Sequence, residues 1–131
     1  MTTVTPKIVY TIELSLAYVK YGGNTGTHDQ YFYCYNPKAS FIPLESTLVY
    51  SLAETTSDRF EIVEFLSSDG NHQFSPPIFS NNNRTLAVDN KNTNRQLINV
   101  TLIIRDNKAD KDMYFNCDPQ VLNSPGTLGG D

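Results

Sequence analysis

Tryptophan is absent from this chain of 131 residues, and cysteine, histidine and methionine occur only twice each. Each shortage removes a chemistry. Cys34 and Cys117, with the distant His28 and His72, do not give the closely spaced ligand set by which a zinc site is read from sequence. Basic residues are also few: ten Lys and Arg against fourteen Asp and Glu leave a net charge of -4, and the basic residues are scattered. Binding to a nucleic-acid backbone is driven by counterion release at a positive patch, so no nucleic-acid partner is expected. Long apolar runs are missing too. No segment approaches the roughly 20 apolar residues of a membrane helix. The stretch from Ile8 to Val19 alternates and holds Glu13 at its centre, unlike the unbroken apolar region of an export signal. The chain therefore reads as soluble and cytoplasmic with no membrane partner. In that reducing compartment both thiols are expected to be buried and unpaired, although a bridge across a sandwich is conceivable.

Motifs for catalysis and metal binding are equally scarce. There is no Gly-x-Ser-x-Gly elbow for a nucleophilic serine. The loop Gly22–Thr27 lacks the Gly-Lys-Ser/Thr ending of a phosphate cradle. The run Asp106–Asp112 holds three carboxylates, but it lacks the order of a calcium loop and has two lysines among them. It reads as a charged turn that buries nothing and discourages pairing at a sheet edge. No metal and no cofactor are expected. Glu13, Glu61 and Glu64 lie in strand-like segments and keep open a hydrolase built on unlinked carboxylates, the weakest of three functional readings.

What the chain does have is alternation. Ile8, Tyr10, Ile12, Leu14, Leu16 and Tyr18 occupy every second position, the pattern of a strand with one buried face. Ile98, Val100, Leu102 and Ile104 do the same, as do Leu48, Tyr50 and Leu52. Leu97–Ile104 and Met113–Cys117, joined by the charged turn, form a closing hairpin, and Asp118-Pro119 ends it because proline cannot donate to a ladder. Arg59–Ser67, with Phe60, Ile62, Val63, Phe65 and Leu66, fits either a helical face or a bulged strand. Its β-rich surroundings favour the strand. Pro76-Pro77 limits the segment His72–Ser80 to an edge strand or an extended connection. Asn81–Asn83 is a turn, since asparagine tolerates positive φ. Frequent short strands, turn clusters and no convincing helix predict one all-β domain over residues 1–131. The expected architecture is an immunoglobulin-like antiparallel β-sandwich of about seven to eight strands.

Eight tyrosines and seven phenylalanines supply the large side chains. Tyr18, Tyr21, Tyr31, Tyr33 and Tyr35 form a flat aromatic face if the first two strands lie together. Such a face would stack on sugar rings or bind a protein partner, against the alternative that tyrosine simply fills the core. The leading reading is a non-catalytic sandwich acting through protein contacts, with an unknown partner or as a homo-oligomer. A carbohydrate-binding module using the tyrosine face is the second.

The tail Cys117-Asp118-Pro119-Gln120-Val121-Leu122-Asn123-Ser124-Pro125 resembles the close of a group of small bacterial proteins, the DP-EP family, through Asp118, Pro119, Val121, Asn123 and Pro125. A second Asp/Glu-Pro element is missing. The resemblance implies a β protein of this size and brings no activity with it. On physical grounds the tail is an ordered chain end. Asp118 is expected to accept backbone N–H groups of the following turn, and Val121 and Leu122 to pin it to the sandwich.

Overall fold

The computed structural model describes residues 8–19, 22–24, 30–37, 39–42, 45–68, 72–93, 96–109, 113–118 and 120–123. Among them the chain forms ten strand segments: β1 (Ile8–Tyr18), β2 (Tyr31–Asn36), β3 (Ala39–Ile42), β4 (Ser46–Leu52), β5 (Phe60–Ser67), β6 (Ile78–Ser80), β7 (Thr85–Asn90), β8 (Gln96–Asp106), β9 (Met113–Cys117) and β10 (Gln120–Asn123). They build the two layers of a β-sandwich. One sheet runs β2-β1-β4-β7-β6; the other runs β3-β10-β8-β5, with β9 also on β8. Pairing is mostly antiparallel, with parallel contacts of β1 to β4 and of β3 to β10.

The longest strands act as spines. β1 carries β2 on one edge and β4 on the other. β8 pairs with β5 along one edge, while β9 and β10 follow each other along the opposite edge. The alternation read from the sequence is the alternation of burial along β8 and over Ile12–Leu16 of β1, whereas Ile8 and Tyr18, at the ends of β1, are exposed. Ile12, Leu14 and Leu16 share one buried cluster with Ile98, Val100, Leu102 and Ile104, and Tyr50, Phe60 and Phe65 complete it.

Local chemistry accounts for the irregular places. In β5 the register against β8 shifts between Ile62 and Glu64, so Val63 is the extra residue of a bulge. Without it, Phe60, Ile62 and Phe65 could not all face inward, because a straight strand changes face at every residue. With it, all three are buried. Asn81, Asn82 and Asn83 have φ of 52°, 54° and 61° and turn the chain from β6 to β7. β6, just after Pro77, is the outermost strand of its sheet.

Three expectations need correction. The tail segment Gln120–Asn123, expected as an ordered chain end, is a strand, β10, that pairs with β3. Both strands are only four residues long, too short for alternation to register. Asp106, assigned to a turn that buries nothing, is 1% exposed. It lies two residues beyond Ile104 on β8 and so keeps the inward face. Cys34, expected to be buried, is exposed, whereas Cys117 is buried as expected, and both are free thiols. The tyrosines of β2 point inward and Phe32 and Cys34 outward, because Tyr33 and Tyr35 stand opposite Leu16 and Leu14, the inward residues of β1. No helix of the described residues is long and apolar enough to cross a membrane.

Candidate functional site

β2 is the edge of its sheet, and it lies over β9 of the other sheet. The Tyr31 ring stacks on Phe115 with centroids 4.2 Å apart and planes 10° from parallel. The Tyr35 hydroxyl donates to the carbonyl of Cys117 at 3.2 Å. Along this seam lie two clefts.

The first, of about 290 Å³, is lined by Asn24, Phe32, Tyr33, Cys34, Tyr35 and Asp118. Four consecutive residues of one strand can line a single cleft only if it runs along the strand's edge, since alternate side chains leave on opposite faces. The main chain of β2 is therefore part of the lining. Its free edge is occupied in an unusual way. The Asn24 side chain accepts from the backbone N–H of Tyr33 at 2.8 Å and donates to the Tyr33 carbonyl at 2.9 Å. The backbone N–H of Asn24 donates to the Tyr31 carbonyl at 2.9 Å. A side-chain amide has one donor and one acceptor group in the plane of a peptide, and here it takes the place of a neighbouring strand.

Across the cleft, Asp118 is exposed and its Oδ1 accepts from the Thr101 hydroxyl at 2.9 Å. The Tyr33 side chain is half-buried and reaches toward Asp118. Burial raises its hydroxyl above the usual value of 10.0, against a lowering by the Asp118 backbone N–H. Its ring meets Tyr35 edge-on at 5.7 Å. Burial pushes the Tyr35 hydroxyl up strongly, and the Cys117 thiol likewise, so both groups are neutral and serve packing. The cleft thus offers apolar rings, main-chain hydrogen-bonding groups and one exposed carboxylate.

The second cleft, of about 400 Å³, lies beside Tyr18, Tyr31, Arg59, Lys108 and Met113. Arg59, in its lining, is held from beneath by the buried Asp106. Arg59 Nε and Nη2 donate to Asp106 Oδ1 and Oδ2 at 2.8 and 2.7 Å. The Tyr31 hydroxyl donates to Oδ2 at 2.7 Å, and the Lys108 backbone N–H to Oδ1 at 3.0 Å. Burial alone would raise the Asp106 carboxyl. The bonds from Arg59, Tyr31 and Lys108 outweigh it and hold the group below its ordinary value of 3.8. The guanidinium also lies 5.0 Å from the Tyr18 ring centre and 5.6 Å from that of Phe60, a cation–π contact on two rings.

The five tyrosines do not make one flat face among the described residues. Tyr31 and Tyr35 are 3% and 5% exposed. Tyr33 is partly open in the first cleft, and Tyr18 lies on the second. Tyr21 lies outside the described residues. Of the tail, Asp118 is at the first cleft, and Pro119 and Pro125 lie outside the described residues. Asn123 has another task. Its amide exchanges two hydrogen bonds with that of Asn90, at 2.7 and 3.0 Å, and joins β10 of one sheet to β7 of the other. Val121 is fully buried and pins the tail as expected. Glu13 lies on the outer face of one sheet and Glu61 and Glu64 on that of the other, so these three carboxylates do not converge.

Asn24 and Arg59 were not singled out from the sequence. Arg59 had no signal beyond its place before a strand. Asn24 is one polar residue in a glycine-rich loop, and only its placement beside an aromatic edge strand gives it meaning.

No protein-family model matches the chain. No curated protein matches it either. Among solved structures, the fold is similar to that of an inclusion body protein, PixA, from Burkholderia cenocepacia J2315. The TM-score is 0.50 at 9% identity, over 94% of this chain and 100% of that one. At that identity the likeness is one of fold.

Proposed function

We propose that this protein is a non-catalytic β-sandwich that acts through contacts with other proteins, made at the edge of β2. The observation that carries the reading is the first cleft, whose lining is the side chains of Phe32, Tyr33, Cys34 and Tyr35 with the strand edge between them. Exposed aromatic rings beside main-chain donors and acceptors suit a polypeptide ligand, which presents both apolar side chains and peptide groups. A homo-oligomer uses the same chemistry with a second copy as the partner. The immunoglobulin-like label for the sandwich belongs to this reading as well.

The carbohydrate reading draws on Tyr33 and Asp118, a ring and a carboxylate in one cleft. It is the weaker of the two, because a sugar platform needs the flat face of a ring open to solvent, and Tyr31 and Tyr35 are buried. Parallel screening of the purified protein on a random peptide display library and on a glycan array separates them. Enrichment of peptides that is lost in Phe32→Ala supports the protein-contact reading. Glycan binding lost in Tyr33→Ala, with no peptide enriched, overturns it.

A further inference from the structure

We propose that the β2 edge is a strand-addition site for an extended peptide carrying a lysine or arginine, and that Asn24 is a latch that this peptide displaces. The inference deepens the protein-contact reading and rests on it.

The register fixes which groups are available. The backbone N–H of Val19 donates to the Gln30 carbonyl at 2.7 Å. By alternation, Phe32, Cys34 and Asn36 then exchange hydrogen bonds with β1, while the main-chain groups of Tyr31, Tyr33 and Tyr35 point away from it. Asn24 covers the Tyr31 carbonyl and both groups of Tyr33. The N–H of Tyr35 has no main-chain partner among the described residues, and its carbonyl faces the Cys34 thiol at 3.9 Å, a weak donor. Among the described residues the edge therefore has one stretch plugged by a peptide mimic and one stretch, at Tyr35, with no main-chain partner. What replaces an amide that imitates a peptide is a peptide.

Side chains on both flanks set the ligand's chemistry. A strand laid against β2 alternates its own side chains between two surfaces. One is the outer surface beside the exposed Phe32 and Cys34. The other is the inner side of the cleft, formed by Tyr33, Tyr35 and Asp118. The carboxylate of Asp118 is exposed, and one of its oxygens is bonded to Thr101. A lysine or arginine at the inward position of the ligand meets that carboxylate with its aliphatic stem against the Tyr33 ring. The net charge of -4 on the chain favours a basic ligand at longer range.

The latch is suited to release. Asn24 is exposed, in a loop, and each of the three hydrogen bonds it makes to Tyr31 and Tyr33 is regained with the incoming strand, so exchange costs little beyond ordering the peptide. The test uses synthetic peptides of alternating threonine and valine with one central lysine, fluorescently labelled, with binding read by anisotropy. Two controls replace the lysine by glutamine or methylate alternate backbone nitrogens. The proposal expects Asn24→Ala to tighten binding about tenfold, corresponding to about 1.4 kcal/mol. It expects N-methylation on the paired side to abolish binding. It also expects Asp118→Ala to weaken the lysine peptide about tenfold and leave the glutamine peptide unchanged. Asn24→Asp, which keeps the acceptor and loses the donor, gives the same direction should the alanine variant fold poorly. Peptide binding that ignores both Asn24 and N-methylation overturns strand addition while the protein-contact reading stands. Peptide binding lost in Phe32→Ala but equal for lysine and glutamine peptides overturns the basic specificity. Binding of none of the peptides overturns the proposal, and the separate library screen then decides the broader reading.

Discussion

Replacing Asp106 by asparagine keeps the size and shape of the side chain and removes only its charge and one acceptor. Both carboxylate oxygens are in use. Oδ1 accepts from Arg59 Nε and the Lys108 N–H, and Oδ2 accepts from Arg59 Nη2 and the Tyr31 hydroxyl. Whichever oxygen becomes an NH2 group then points donors at donors. The Asp106 side chain is fully buried, so water cannot repair the loss, whereas Arg59 is 22% exposed and can turn part of its guanidinium to solvent. Removing one partner of a fully buried ion pair costs about 3–5 kcal/mol. The exposure of Arg59 lowers the expectation to about 2–4 kcal/mol. For a domain of this size that is a fall in Tm of roughly 6–20 °C. Urea unfolding at neutral pH measures it, and pH gives a second axis. The native carboxyl titrates below 3.8, so its stabilisation is fully present above that value and is lost as pH falls through the lowered native pKa. The gap between parent and Asp106→Asn should be constant from about pH 5 to 8 and close below about pH 4. A variant within about 0.5 kcal/mol of the parent at pH 7, the ordinary scatter for a surface substitution, refutes the reasoning. A gap that ignores acid refutes it as well.

Three further outcomes follow from single side chains. Leu102 is fully buried between β5 and β9, and Leu102→Ala should cost about 2–5 kcal/mol in denaturant unfolding. The Tyr50 hydroxyl is buried with no hydrogen-bond partner among the described residues, so Tyr50→Phe should raise stability by about 1 kcal/mol. A loss there would mean that the hydroxyl is satisfied. Cys34 is exposed and Cys117 buried, so a thiol-reactive dye should label one site in the folded protein and two after unfolding. Reductant should leave the melting temperature unchanged, and a mass two hydrogens lower in the unreduced denatured chain would contradict the free thiols.

How much of this was legible in the sequence depends on the length of each pattern. β1 and β8 are eleven residues each, and their alternation marked both the strands and the face they bury. The five apolar residues of Phe60–Leu66 were ambiguous because a bulge mimics helical spacing: Phe60, Ile62 and Phe65 fit neither period cleanly. β3 and β10 were invisible for the opposite reason. Four residues carry no period, and their pairing spans the sequence from Ala39 to Gln120. Asp106 was misread because composition was allowed to override phase. A charged residue after Ile104 looks like the start of a turn, yet two positions on it is again the inward face, and the arginine before β5, with the Tyr31 hydroxyl and the Lys108 N–H, makes that tolerable. The site was the least legible part. Tyr33 and Asp118 were both singled out, for unrelated reasons, and nothing in the sequence places them on one cleft. That follows from the crossing of β2 over β9, a contact between elements more than eighty residues apart.

The positions of the polar contacts explain why the site is where it is. Apolar packing between two sheets is strong but has little directional preference, so sheets held by it alone can slide. Here each end of β8 carries a directional fastener to the opposite sheet. At one end Asp106 receives the Tyr31 hydroxyl of β2. At the other, Asn123, paired with Gln96, exchanges amide hydrogen bonds with Asn90 of β7. The Tyr35 hydroxyl on the Cys117 carbonyl ties β2 down again. An edge strand anchored by its own side chains at Tyr31 and Tyr35 stays in place when its outer hydrogen bonds change. The part left free to exchange is the loop residue Asn24, whose side chain is held, among the described residues, by Tyr33. Loosening the anchor should therefore harm peptide binding more than loosening the latch. Tyr35→Phe keeps the ring and removes the tie, and it should weaken the lysine peptide in the background where Asn24→Ala strengthens it.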